Sequence, residues 1–125
     1  MLPYRPMAEA KTYAGSCHCG KVRYEVTLAL GKVIACNCSM CSRKGTLLTF
    51  VGADQFKLLS GEDELTDYQF NRHVIHHLFC KTCGITSFAR GTDPAGNPTV
   101  AINARCLEGV DVESLSVTHF DGASH

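Results

Sequence analysis

The sequence predicts a small, mainly β domain stapled by clusters of cysteine, and three observations carry that expectation. Short segments alternate polar and apolar side chains, as Lys21-Val22-Arg23-Tyr24-Glu25-Val26 does throughout. Turn residues recur between such segments, in Gly61-Glu62-Asp63 and again in Asp93-Pro94-Ala95-Gly96-Asn97-Pro98. Of the eight cysteines, all but Cys106 fall in three tight groups: Cys17-x-Cys19, Cys36-x-Cys38-x2-Cys41 and Cys80-x2-Cys83.

Taken in order, the first predicted strand is 21–26, with Val22, Tyr24 and Val26 facing the core because every second residue of a strand shares a face. A helical turn is expected over 38–44 and a shorter one over 53–55. Further strands are expected at 46–51, 56–59, 65–70, 74–79, 86–90, 99–104 and 115–120, each bounded by turn residues. No repeat, linker or low-complexity segment interrupts them. The chain divides into an N-terminal arm (1–11), one cysteine-stapled domain (12–120) and a short tail (121–125). An all-β domain of this size is short of core, and bound metal can supply folding free energy that packing does not.

Twelve basic and twelve acidic side chains cancel, and the basic ones are scattered apart from Lys21/Arg23 and Arg43/Lys44. No basic stripe interleaved with aromatics appears, so nucleic acid is not an expected partner. Residues 1–10 lack the apolar run of a secretory signal, and the apolar stretch 26–36 is broken by Gly31 and Lys32. A cytoplasmic protein without membrane contact is therefore expected. In a reducing compartment eight cysteines are not expected to be disulfides.

Metal ligation accounts for the spacings directly. In C-x2-C a tight turn aims two thiolates at one point, and a glycine after the second cysteine relieves the positive φ with which the chain leaves. The sequence has that device at Cys80-Lys81-Thr82-Cys83-Gly84 and repeats the glycine at Cys19-Gly20. Seven clustered thiols do not make two complete tetrahedra, so one site of four and one of three is the natural partition. Three protein ligands leave a position open to water or substrate. Cys36, Cys38 and Cys41 lie on one continuous loop that can supply all three. Cys106 stands apart and reads as a small core side chain.

The motifs Gly15-Ser16-Cys17-His18-Cys19-Gly20-Lys21-Val22, Cys36-Asn37-Cys38-Ser39-Met40-Cys41 and Phe79-Cys80-Lys81-Thr82-Cys83-Gly84 follow one another in a familiar order. Together they resemble the family of the glutathione-dependent formaldehyde-activating enzyme, which includes centromere protein V. The resemblance runs from about residue 12 to 107. It implies packed antiparallel sheets of the β-tent type. It implies a structural zinc on Cys17, Cys19, Cys80 and Cys83, and a second zinc on Cys36, Cys38 and Cys41, the catalytic set. The reaction it implies is reversible condensation of glutathione with formaldehyde, a carbon–sulfur lyase chemistry, with a small thiol such as glutathione as partner.

Three thiolates give a zinc centre a formal charge near −1, which suits it to an exogenous soft thiol better than to Lewis-acid activation of water. Arg43 and Lys44 are candidates to offset that charge or meet a substrate carboxylate, against the plainer reading of two solvated side chains. His18, between two ligands, is an alternative nitrogen ligand. His73 and His77 share one strand face and His76 the other; a proton-carrying role is weighed against ordinary half-exposed strand positions. Beside the enzyme stand two further readings: a structural zinc module for protein interaction and, ranked last because the basic residues are scattered, a zinc-ribbon nucleic-acid binder.

Overall fold

The computed structural model describes residues 10–69 and 75–121. Among them are ten strands and one α-helix, arranged as two sheets. The smaller sheet has the order β1-β2-β5, with β1 Lys11–Ser16, β2 Arg23–Leu28 and β5 Phe56–Ser60. The larger contains β3 Lys32–Cys36, β4 Leu48–Gly52, β6 Leu65–Tyr68, β7 His76–Cys80, β8 Phe88–Thr92, β9 Pro98–Asn103 and β10 Ser116–Phe120. Its strand order is β10-β3-β4-β9-β8-β7-β6. The helix α1, Ser39–Lys44, lies between β3 and β4, and short 3₁₀ turns occupy Ala53–Gln55, Glu62–Glu64, Ala104–Cys106 and Val112–Ser114.

The sheets meet through three aromatic rings. Tyr24 of β2, Phe56 of β5 and Phe88 of β8 pack with centroids 4.7 to 5.6 Å apart, tilted or edge-on, which suits the ring quadrupoles. Val22, Tyr24 and Val26 are buried, as their alternation predicts. Gly15 of β1 runs beneath the Tyr24 ring; a Cβ there would lie 2.2 Å from Tyr24 Cζ, so only glycine allows this approach.

Where the observed strands depart from the predicted ones, hydrogen bonds to loops are the cause. Lys21 and Val22 belong to a tight loop rather than to β2, because Cys17 N–H donates to Val22 O and Val22 N–H to the Cys17 sulfur. Strand β8 begins at Phe88, not at 86, because Asn103 takes up the preceding carbonyls: its backbone N–H donates to Ser87 O and its Nδ2 to Thr86 O. Strands β1 and β3 have no counterpart among the predicted ones. β1 (Lys-Thr-Tyr-Ala-Gly-Ser) buries only a glycine fully, and β3 buries only Val33, so neither displays apolar alternation. Among the described residues every strand pairing is antiparallel except one: β10 runs parallel to β3, with Phe120 opposite Cys36. The predicted strands 65–70 and 74–79 extend into 70–74, outside the described residues, as does His73.

Candidate metal centres

The fold gathers the seven clustered cysteines into two groups. Cys17 and Cys19 leave β1; Cys80 ends β7 and Cys83 follows it. All four sulfurs lie within 4.8 Å of one another. The Cys17–Cys19 separation is 3.6 Å and the Cys19–Cys80 separation 3.7 Å. A disulfide requires about 2.05 Å, whereas the edge of a tetrahedron with metal–sulfur bonds of about 2.3 Å is about 3.8 Å. The donor set therefore fits a tetrahedral soft-metal ion. Cys17 and Cys80 are buried, Cys83 half-buried and Cys19 exposed.

Local backbone geometry explains the convergence. Gly20 and Gly84 have φ of 83° and 81°, the left-handed conformation that the glycine-after-cysteine pattern predicts. Gly84 N–H donates to Cys80 O at 2.7 Å, closing the turn. The second group, Cys36, Cys38 and Cys41, also has its sulfurs within 4.8 Å of one another, and all three residues are half-buried. Cys36 ends β3, Cys38 caps α1 by accepting from Cys41 N–H at 3.3 Å, and Cys41 lies within the helix. The Cys36 sulfur in turn accepts from Cys38 N–H at 3.5 Å. Gly45, at φ 70°, ends the helix and turns the chain back toward β4.

Crowding the sulfurs divides their acidities. Burial would raise the Cys83 thiol, but backbone donors at Cys19 and Ile85 and the neighbouring thiols hold it down at about 6. In Cys19 the Lys21 backbone favours the thiolate, yet desolvation and the surrounding thiols push it up to about 11. The same split divides the second group. Burial raises Cys41, and the neighbouring Cys38 carries it to about 12, while Cys38, despite its own burial, is lowered by the Cys41 backbone and thiol. The first charge formed thus suppresses the next, and only a cation among the sulfurs lets a whole group ionise together.

Around the three-cysteine group the structure separates the two basic candidates. Arg43 is exposed and donates to Ser39 O, one helical turn back. Lys44 is half-buried, donates to Thr86 Oγ1 at 2.5 Å and lies 6.0 Å from the Phe79 ring centroid. Burial lowers its pKa and the nearby Cys41 sulfur opposes that shift. His77 is half-buried and held below the ordinary imidazole value by burial and then by Lys44. His76 pairs with Asp67 at 2.7 Å, on an exposed strand surface. His18 is exposed and belongs to neither group. Cys106 also stands outside both, half-buried with its sulfur 3.7 Å from Thr86 O, and burial raises its thiol pKa.

One part of the surroundings had no signal in the sequence. A cleft of about 320 Å³ opens beside Cys36, lined by Ala35, Cys36, Asn37, Ser42, His119, Phe120 and Asp121. It exists because β10 docks parallel on β3, and strand direction is not encoded in the alternation of residues 115–120.

Residues 12–117 match the family model described as glutathione-dependent formaldehyde-activating enzyme. A crystal structure of a Rhodobacter sphaeroides protein is similar at 32% sequence identity and a TM-score of 0.72, covering 84% of this chain and 99% of that one.

Proposed function

The chain belongs to the glutathione-dependent formaldehyde-activating enzyme family, and from that premise we propose that it is a zinc enzyme joining and separating a small thiol and a small aldehyde. The observation that carries this reading is the contrast between the two cysteine groups. Four sulfurs, two of them on buried residues, complete one centre, whereas three half-buried sulfurs beside a cleft leave the other one ligand short. Zinc in the three-cysteine group would keep a substrate thiol in its thiolate form at neutral pH.

The reaction so assigned is an addition without redox change. The thiolate sulfur bonds to the carbonyl carbon, the C=O double bond opens to a hydroxyl, and the thiol's proton ends on that oxygen. The reverse cleaves the carbon–sulfur bond. Glutathione is the thiol the family's description suggests, and formaldehyde the aldehyde. In this reading Cys17, Cys19, Cys80 and Cys83 hold a structural zinc, while Cys36, Cys38 and Cys41 carry the chemistry. Lys44 supplies a fixed positive charge at the helix end beside Cys41, offsetting the surplus of thiolate. A reducing, cytoplasmic setting suits a protein whose ligands are thiols.

Cobalt substitution tests the assignment, because zinc is spectroscopically silent. Titrating glutathione into the cobalt-loaded protein should move the visible spectrum saturably toward that of a four-sulfur tetrahedral centre. S-methyl glutathione, which has no thiol, should not. If both metals are present and no thiol has any effect, the fourth position is already filled and the interaction-module reading replaces the enzyme.

A further inference from the structure

We propose that Lys44 is the catalytic residue that holds the aldehyde oxygen while the carbon–sulfur bond forms, a role that rests on the thiol-binding reading above and completes it. A thiolate adding to a carbonyl carbon drives an electron pair onto the carbonyl oxygen, which then needs a donor. A centre of formal charge near −1 is a poor Lewis acid, so that donor has to come from a side chain beside it.

Lys44 meets this need by position. It lies three residues after Cys41 on α1, and side chains at that spacing are neighbours on a helix surface, with Cβ atoms about 5–6 Å apart. The charge of Cys41 acts on the Lys44 ammonium, so the two are within electrostatic reach of one another. The ammonium is also anchored. Its Nζ donates to Thr86 Oγ1 at 2.5 Å, and the Thr86 carbonyl accepts from Nδ2 of the buried Asn103 at 2.9 Å. That bond occupies one of three N–H donors, and no carboxylate pairs with Lys44 among the described residues. A half-buried cation with donors to offer and no counter-ion suits an anionic oxygen. The other basic side chains near the helix end are placed differently. Arg43 is exposed and folds back on Ser39 O, and Arg105, also exposed, donates through Nε to Gly45 O.

In the forward direction the sulfur–carbon bond forms as the C=O π bond opens. Its electron pair moves to the oxygen, where a Lys44 N–H hydrogen bond stabilises the charge. The proton that the thiol gives up to solvent is matched by the one that solvent returns to this oxygen, and the ammonium keeps its charge throughout.

Two readouts test this on the fully metal-loaded protein. Visible titration of the cobalt form compares ethanethiol with mercaptoacetate, whose carboxylate sets an anionic oxygen next to the carbon that bears sulfur. Lys44→Met should weaken mercaptoacetate by about threefold to fivefold, the range of a solvent-accessible ion pair, and leave ethanethiol unchanged. Protein-dependent exchange of formaldehyde with its thiol adduct, followed by NMR on the zinc form, should slow in Lys44→Met by about a hundredfold, the lower end of what loss of a positioned donor costs. Lys44→Arg, which keeps the charge and the donors, should recover part of both losses. Equal effects of Lys44→Met on the two thiols, or an exchange rate that it leaves unaltered, would overturn the assignment while the thiol-binding reading stands. A wild-type protein that responds to no thiol would remove both.

Discussion

The ammonium of Lys44, the last residue of the helix that carries Cys41, donates a 2.5 Å hydrogen bond to the hydroxyl of Thr86, just before β8. This bond ties the three-cysteine loop to the far side of the larger sheet and holds a positive charge beside a group of sulfurs. Lys44→Met should therefore speed metal release from that group by about threefold to fivefold, as expected when a partly screened charge is removed. Thr86→Val keeps the charge and loses the anchor, so its effect should be smaller. Competition with a chromogenic chelator measures both rates. Unaltered release in Lys44→Met would show that the charge contributes nothing to holding the metal.

The two groups of cysteines should fail differently. Cys80→Ser breaks a centre that joins the loop between β1 and β2 to the end of β7, so folded soluble protein should be lost. Cys38→Ser should leave the fold intact, with one zinc per chain where the parent should hold two, and without thiol-dependent spectral change after cobalt loading. Metal analysis and circular dichroism together make the comparison. Equal instability of both variants would end the division into a structural and a reactive centre.

His77 should titrate below its ordinary 6.5, because burial and then the Lys44 charge disfavour the imidazolium. Since the unfolded chain binds that proton more readily, this residue's contribution to stability is present above pH 6.5 and declines as pH falls from there toward the folded midpoint. Histidine NMR titration should also find the midpoint raised in Lys44→Met. In Asp67→Asn it should be lowered further, because Asp67 favours the charged form. A midpoint indifferent to both substitutions would contradict the arrangement of charges around β7.

Gly15→Ala should destabilise the domain by about 1–3 kcal/mol, the usual cost of forcing an extra carbon into a packed site, since the new Cβ meets the Tyr24 ring. At Gly31 an added Cβ meets nothing within 4 Å, so Gly31→Ala should stay within about 0.5 kcal/mol of the parent. Denaturant titration of the metal-loaded proteins compares the two.

Much of this architecture can be read from the residues themselves. The buried face of Val22, Tyr24 and Val26 follows from alternation, and the positive φ of Gly20 and Gly84 from their place after a cysteine; the helical turn expected over 38–44 is found at Ser39–Lys44. The gathering of Cys17 and Cys19 with Cys80 and Cys83 needed the family resemblance as well, because spacing alone does not say which clusters meet. Strands with little apolar face of their own were illegible: β1 and β3 each bury a single residue, Gly15 and Val33, and show no apolar alternation. So was Asp121, whose place beside Cys36 depends on a pairing 84 residues apart in sequence from the Asn37 it contacts.

The two cysteine groups also differ in how much of the chain must exist before they do. Cys36, Cys38 and Cys41 emerge together from the ribosome within six residues, at the end of β3 and in the adjoining helix α1 with its cap. Cys19 must wait 61 residues for Cys80, and their meeting requires β2 and β7 to have reached their separate sheets. Closing that span costs chain entropy that only completed packing repays. An ion held by the first group would need only this local stretch of chain, whereas one held by the second would need the loop after β1 and the end of β7 to have met. Occupancy of the second would then report that two segments far apart in the chain have come together.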